Sequence, residues 1–343
     1  MDDKNIKKTA NSVWNLKNEK IPYVVDVGGI LYALEKFYWD HQRVMEAQDA
    51  YHKLVEPIND YSQKNYKPDL GIGFMAAVFG CDQVPNDKVD PWITPLITHE
   101  NQEDVLKIPY PDLSSNPVMQ HGLERIDFLN RNGKAPMRLI NVASPLVTAS
   151  YIWEYNSFLE GMLMEPKKVH YLLDMITTAT IEFIRLQLGR IRNLYSMSHE
   201  NIWVPRSVGV RISDDVAAIL SPDLYREFGK AYNERIAEAF GGLMIHSCGD
   251  LQHVLPVMLE TKGCRGIDLT IPQNDPVKVR DMAGGKTTLN LRFHYWDFNE
   301  KKDLAAYAHD LLELFPREGV MLWTSEERLE DSIILAEKLC RMC

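Results

Sequence analysis

Eight short apolar, β-rich runs recur along this chain, each followed by a stretch with helical periodicity: residues 23–27, 70–74, 137–142, 204–212, 243–246, 266–271, 287–293 and 319–323. Parallel strands cannot be joined by tight turns. They need crossover connections, usually helices, which also cover both faces of the sheet. Eight such units predict an α/β protein folded as a single (β/α)8 TIM barrel; a doubly wound sheet shares the local pattern, but the number of units favours the barrel. Residues 1–20 are polar and lysine-dotted and read as an N-terminal helical extension, with residues 21–343 forming the barrel. The longest irregular stretch, residues 80–117, is rich in Pro, Asp and Asn and reads as a decorated loop over the barrel mouth or edge.

Local signals fix a few helix ends. Ser221 followed by Pro222 is an N-cap with proline at the first helical position, and apolar residues at helical spacing continue to Phe240. Thr324, Ser325, Glu326 and Glu327 read as a capping box for a last helix whose stripe is Leu329, Ile333, Ala336 and Cys340. Gly263 reads as the stop of the helix after the fifth run.

The charge balance excludes some functions. A net charge of −10 argues against nonspecific nucleic-acid binding, which requires a basic face. No apolar run reaches the length of a membrane span, and residues 1–20 have no apolar core of the kind a signal peptide needs. Five cysteines, an odd number spread over 343 residues, do not form a disulfide framework, so the expected setting is a reducing cytoplasm.

Chemistry concentrates where the fifth run ends, at His246, Ser247, Cys248 and Gly249. Residues two apart on a strand point to the same face, so the His246 imidazole and the Cys248 sulfur project together, and both are ligands that zinc prefers. The alternative is a buried cysteine acting as a small hydrophobe beside a histidine bonded to a carbonyl. In a barrel, chemistry lies at the C-terminal ends of strands, where this pair falls.

The order Ser213, Asp214, Asp215, then residues 220–228 beginning Leu220, Ser221, Pro222, then Ile245 to Gly249, resembles the uroporphyrinogen decarboxylase superfamily. Within it the chain is closer to the methyltransferase branch, the methylcobamide:coenzyme M and related corrinoid-dependent enzymes. Residues 144–149, 158–159 and 165–169 are similar to the same family's third strand and following helix, and the likeness covers roughly residues 65–340. It implies one (β/α)8 barrel, a zinc ion, and a corrinoid carried on a partner protein. The family's zinc ligands are a His-x-Cys pair, which carries over to His246 and Cys248, and a distant cysteine at the end of the last strand. That cysteine is missing: residues 321–326 contain none, Cys340 and Cys343 come later, and Cys264 falls at the opposite end of its strand. Glu326 or Glu327 is the oxygen donor expected in its place.

True uroporphyrinogen decarboxylases carry arginines after the first strand to meet a polycarboxylate substrate, and an aspartate near the second. Here no arginine precedes Arg43, and residues 70–81 contain no acid. The leading expectation is therefore a corrinoid-dependent methyltransferase, with a uroporphyrinogen decarboxylase-type decarboxylase and a noncatalytic corrinoid- or tetrapyrrole-binding protein as the rivals. Asp214 and Asp215 are expected as catalytic or metal-supporting carboxylates, against the plainer role of helix-terminal acids. Arg292, His294, Tyr295 and Trp296 are expected to bind substrate at the mouth, against pairing and rim packing. Tyr32, Phe37, Tyr38 and Trp39 read as packing aromatics, and His41, His52 and His309 as structural.

Overall fold

Six of the eight runs pair into one curled parallel sheet. The computed structural model describes residues 3–28, 39–84 and 91–343. Its strands are β1 (Tyr23–Val27), β2 (Asp82–Val84), β3 (Trp92–Thr94), β4 (Val210–Ser213), β5 (Leu243–Ser247), β6 (Cys264–Thr270), β7 (Thr288–His294) and β8 (Val320–Glu326). The parallel sheet runs β1-β8-β7-β6-β5-β4. The first strand thus returns beside the last, with Tyr23 opposite Leu322 and Val27 opposite Glu326, as in a barrel joined at its chain ends.

The runs at 70–74 and 137–142 do not become sheet strands, and closure by eight strands is absent among the described residues. Isolated parallel bridges span the arc between β1 and β4, pairing Tyr66 with Met137, Met137 with Leu194, and Ala143 with Ser213. The reason lies in where the backbone donors go. Leu70 and Gly71 donate to the Asp69 carboxylate, Ile140 donates to Gln187 Oε1 and Val142 to His199 Nδ1. At these four positions side chains have taken the places a ladder would use, while Met137, Arg138 and Leu139 still donate to backbone carbonyls of separate segments. Gly71, at φ 80°, then turns the chain into the helix Phe74–Val78.

Other expectations shift similarly. Thr324, Ser325 and Glu326 lie in β8, paired with Val25, Asp26 and Val27, so they are not a capping box. The last helix, Leu329–Met342, starts without a side-chain cap and buries Ser332, Leu335, Ala336 and Leu339, leaving Cys340 exposed. The helix after β5, Leu255–Glu260, stops before Gly263. The Ser221 cap forms, accepting from Leu224 N–H. Residues 80–117 hold the β2–β3 hairpin and a 3-10 segment, His99–Lys107, and Leu96 and Ile97 dock on the Ile152 carbonyl. The N-terminal helix Asp3–Val13 is not merely polar: it buries Ile6, Ala10 and Val13, and the Val13 carbonyl accepts from Thr288 Oγ1 at the start of β7. Tyr32, Phe37 and Tyr38 lie outside the described residues; Trp39 is half exposed beside His121. Among the described residues no helix is long and apolar enough to cross a membrane.

Period-two alternation decides which side chains meet. Ile212, Ile245, Ile267, Leu269, Leu289 and Leu291 are fully buried. Interleaved with them are Arg211, Ser213, His246, Asp268, Asn290, Arg292 and His294; Arg211 and Asn290 bond to Asp268 and Arg292 to His246 across the strands, while Ser213 meets His199 and His294 meets Ser325 on the same polar face. The bottoms of β4 and β5 approach closely at Gly209, where φ is 112° and a Cβ would lie 1.9 Å from the Gly242 carbonyl oxygen.

Candidate active site

His246 and Cys248 project together as their spacing requires, with Cys248 Sγ 3.4 Å from His246 Nε2. The third group beside them is Asp215, whose Oδ1 is 3.6 Å from His246 Nε2 and accepts the Cys248 N–H at 2.8 Å. Among the described residues Asp215, His246 and Cys248 form a cluster with metal-ligand spacing. Glu326 and Glu327 are not part of it: Glu327 is exposed, and Glu326 faces the surface among Lys301, Lys302 and Lys338. The loop after β5 is pinned by Asn274, which donates to the Gly249 and Thr270 carbonyls and accepts from Leu251 N–H.

Asp214 and Asp215 separate in role because adjacent residues diverge at a strand end. Asp214 is fully buried and accepts from Ser144 Oγ (2.6 Å), Tyr225 OH (2.9 Å) and Asn233 Nδ2 (2.8 Å). A π-helical turn, Tyr225–Lys230, separates Tyr225 from Asn233 and lets both reach one carboxylate. Burial pushes the Asp214 carboxyl up, against those donors. It braces β4 against the helices. Asp215, its side chain 43% exposed, faces the cluster.

Below the cluster lies a buried ionic network that sequence reasoning missed. Asp268, on β6, pairs with Arg211 (Nη2 to Oδ2, 2.5 Å) and accepts from Asn290 Nδ2 (2.9 Å). Its carbonyl and carboxylate stand 3.1 and 3.2 Å from His246 Nδ1. Burial alone would raise the Asp268 carboxyl, but Arg211, His246 and Arg292 hold it well below the usual range. Burial alone would lower His246, and Asp268 overrules it, pushing the imidazole up to about 9. The Cys248 thiol is lowered in turn, because His246 outweighs its burial. A donor bond from Nδ1 to Asp268 leaves Nε2 facing Cys248 and Asp215 as a ligand atom.

Zinc bonds of about 2.0–2.3 Å in a tetrahedron set neighbouring donors roughly 3.4–3.6 Å apart. The separations at His246 Nε2 match that, and an imidazole, a thiolate and a carboxylate are an accepted donor set for zinc. One group competes. Arg292 Nη1 is 2.9 Å from His246 Nε2, so a cation there requires the guanidinium to turn aside; it already rests on the Trp323 ring, 4.5 Å from the centroid.

A cavity of about 660 Å³ adjoins the network, lined by Asp26, Lys67, Arg138, Arg292, His294 and Trp296 among others. Of the expected substrate-binding residues, Arg292, His294 and Trp296 line it; Tyr295 packs beside Trp296, where a Cβ on Gly28 would strike both rings. Arginines reach the cavity from elsewhere in the fold: Arg125 on the helix Pro117–Asn132, Arg138 and Arg292. Asp69 also lines it, held by Lys67 at 2.7 Å.

His294 accepts or donates to Ser325 Oγ at 2.9 Å and stacks on Trp296, with ring centroids 4.5 Å apart. Burial, reinforced by Arg292, lowers it to about 3 from an ordinary 6.5. The unfolded chain therefore takes up a proton below about pH 6.5 that the folded chain refuses until about pH 3, and stability falls as pH drops through that window. His294→Gln should flatten this limb in melting curves recorded across it.

The sequence model for uroporphyrinogen decarboxylase (URO-D) matches residues 49–190. The chain resembles that family. The matched stretch holds Ser144 and the helix after it and ends before β4, so the His246 cluster lies beyond it. Among solved structures, a methyltransferase from Methanosarcina mazei is similar at a TM-score of 0.73 and 16% identity, over 97% of each chain. A putative vitamin-B12 independent methionine synthase from Listeria monocytogenes is similar at a TM-score of 0.50 and 14% identity, over 94% of this chain and 96% of that one. At these identities the likeness concerns the fold. No curated protein matches the chain by sequence.

Proposed function

We propose that this chain is a methyltransferase that moves a methyl group between a small molecule and the cobalt of a corrinoid carried by a partner protein, with zinc held by His246, Cys248 and Asp215. The observation that carries the reading is the convergence of those three donors at the C-terminal end of β5, on a fold similar to a methyltransferase. When bound, zinc would supply a Lewis acid that polarises the donor heteroatom or lowers the pKa of an acceptor thiol.

The chain's own residues do the positioning. Asp268 orients His246 through Nδ1, Asp215 fixes the Cys248 backbone, and Asp214 anchors the end of β4 through the bond from its N–H to the His246 carbonyl. The Asp215 side chain is 43% exposed and Cys248 reaches the surface with its sulfur partly buried, which leaves the cluster open to a macromolecular carrier. The experiment mixes the protein with Co(I) corrinoid and a panel of methyl ethers, amines and thioethers. Methylation of the cobalt, followed by its absorption spectrum, is the expected outcome; no methylation across the panel with zinc supplied would refute transfer.

Decarboxylation is the second reading, favoured by the family match and by the arginines that line the cavity. Carbon dioxide release from uroporphyrinogen in the same preparations distinguishes it. The loop that carries the family's arginines overlaps residues 29–38, outside the described residues.

A further inference from the structure

Arg138 is 8% exposed and lines the cavity, yet its side chain makes no hydrogen bond or ion pair with any described residue, and its Nε is buried without a partner. A buried cation left unpaired is costly, so it is ordinarily compensated. The cavity's carboxylates are engaged elsewhere. Asp26 feels the Arg138 charge but bonds to Trp323 Nε1 (2.7 Å), Tyr51 and Asn201 instead; Asp60 accepts from Val25 N–H and Ser62; Asp69 pairs with Lys67. Glu200 is held well below its ordinary range despite burial, in the field of Lys67, His199 and Arg211.

Arg138 is not alone. Gln63 Nε2 and His294 Nε2 are also buried without a hydrogen-bond partner, Arg292 Nε has only the Asp268 carboxylate at 4.0 Å, and all three residues line the same cavity. Buried nitrogens with no acceptor in hydrogen-bond reach, gathered around one space and led by the Arg138 guanidinium, describe a pocket short of an acceptor.

We propose that this cavity holds an oxyanion on the Arg138 guanidinium, and that the small-molecule substrate is therefore an acid, its carboxylate or phosphate seated against Arg138. A carboxylate offers the acceptor pair that matches the planar guanidinium fork. Arg292, which lines the cavity and touches His246, joins this subsite to the cluster. The subsite rests on the methyltransferase reading only for the ligand's role as methyl donor.

The test is calorimetric titration of the full chain with methoxyacetate, its neutral amide 2-methoxyacetamide, and inorganic phosphate. Methoxyacetate should bind roughly tenfold or more tightly than the amide, as a charge-assisted bond to a buried guanidinium predicts, and phosphate should compete with it. Arg138→Met should erase the preference without weakening the amide, and Arg138→Lys should restore part of it. The ligand-free melting temperature of R138M should equal or exceed that of the wild type, because the substitution removes an unpaired buried charge; a structural ion pair would make it fall. Equal binding of acid and amide, anion binding unchanged in R138M, no anion binding at all, or a marked drop in the R138M melting temperature overturns the proposal. His246→Ala should keep the anion preference. A protein that discriminates acid from amide yet methylates no cobalt refutes the transfer reading alone, whereas transfer from neutral donors only refutes the subsite alone.

Discussion

Alanine at His246, Cys248 or Asp215 should take zinc content from about one equivalent per chain to near none, and methyl transfer down by on the order of 10³-fold or more. Each substitution leaves two donors, too few to hold zinc in a tetrahedron against water. Elemental analysis of protein purified with zinc present reads the first effect, and the rate of cobalt methylation reads the second. Asp214→Asn is the control: that carboxylate bonds to Ser144, Tyr225 and Asn233, so its loss should lower the melting temperature and leave zinc bound. Zinc retained in all three alanine variants would refute the assignment of the ligand set, and Asp214→Asn losing zinc would show that the adjacent carboxylates had been assigned the wrong roles.

Asp268→Ala should be among the most damaging substitutions in the chain, at about 3–5 kcal/mol of folding stability, because it leaves a buried guanidinium without its counter-charge. Arg211 is fully buried against it, Asn290 Nδ2 loses its acceptor, and His246 loses the group that orients Nδ1. The pH dependence has a definite sign. Asp268 is depressed in the folded chain, so its contribution is present above the ordinary 3.8 and is lost as pH falls further; His246 is raised, so its contribution is complete below 6.5 and is lost as pH rises through about 9. The pair therefore contributes most between pH 3.8 and 6.5, where His294 acts in the opposite sense, so in urea denaturation the stability difference between metal-free wild type and Asp268→Ala should be largest in that window. A denaturation midpoint within error of the wild type would mean that the pair's desolvation cost cancels its attraction.

The amino-acid sequence determined the strands that pair continuously with neighbours in the parallel sheet. β5, β6, β7 and β8 are apolar runs bounded by turn glycines, and the period-two projection of His246 and Cys248 follows from backbone geometry wherever a strand forms. Their polar alternation was legible too: Asp268, Asn290 and Arg292 interrupt otherwise apolar strands at every second residue, and that pattern marks an interior polar face which inspection for motifs passes over.

Tertiary structure decided the rest, because it depends on which donors compete for a backbone group and which side chains converge from distant segments. Residues 70–74 and 137–142 have strand composition, but the Asp69 carboxylate captures the Leu70 and Gly71 N–H groups and the Gln187 amide oxygen, 47 residues away, captures that of Ile140, while Met137 to Leu139 donate to scattered backbone carbonyls. Thr324 to Glu326 satisfy a capping-box pattern, yet pairing with β1 claims them for β8. The sequence points to Glu326 or Glu327 as the oxygen donor and to Asp215 only as a supporting carboxylate. What separates them is that β4 lies beside β5, whereas β8 is three strands away and turns Glu326 outward, so only the order of strands in the sheet could name the third group of the cluster.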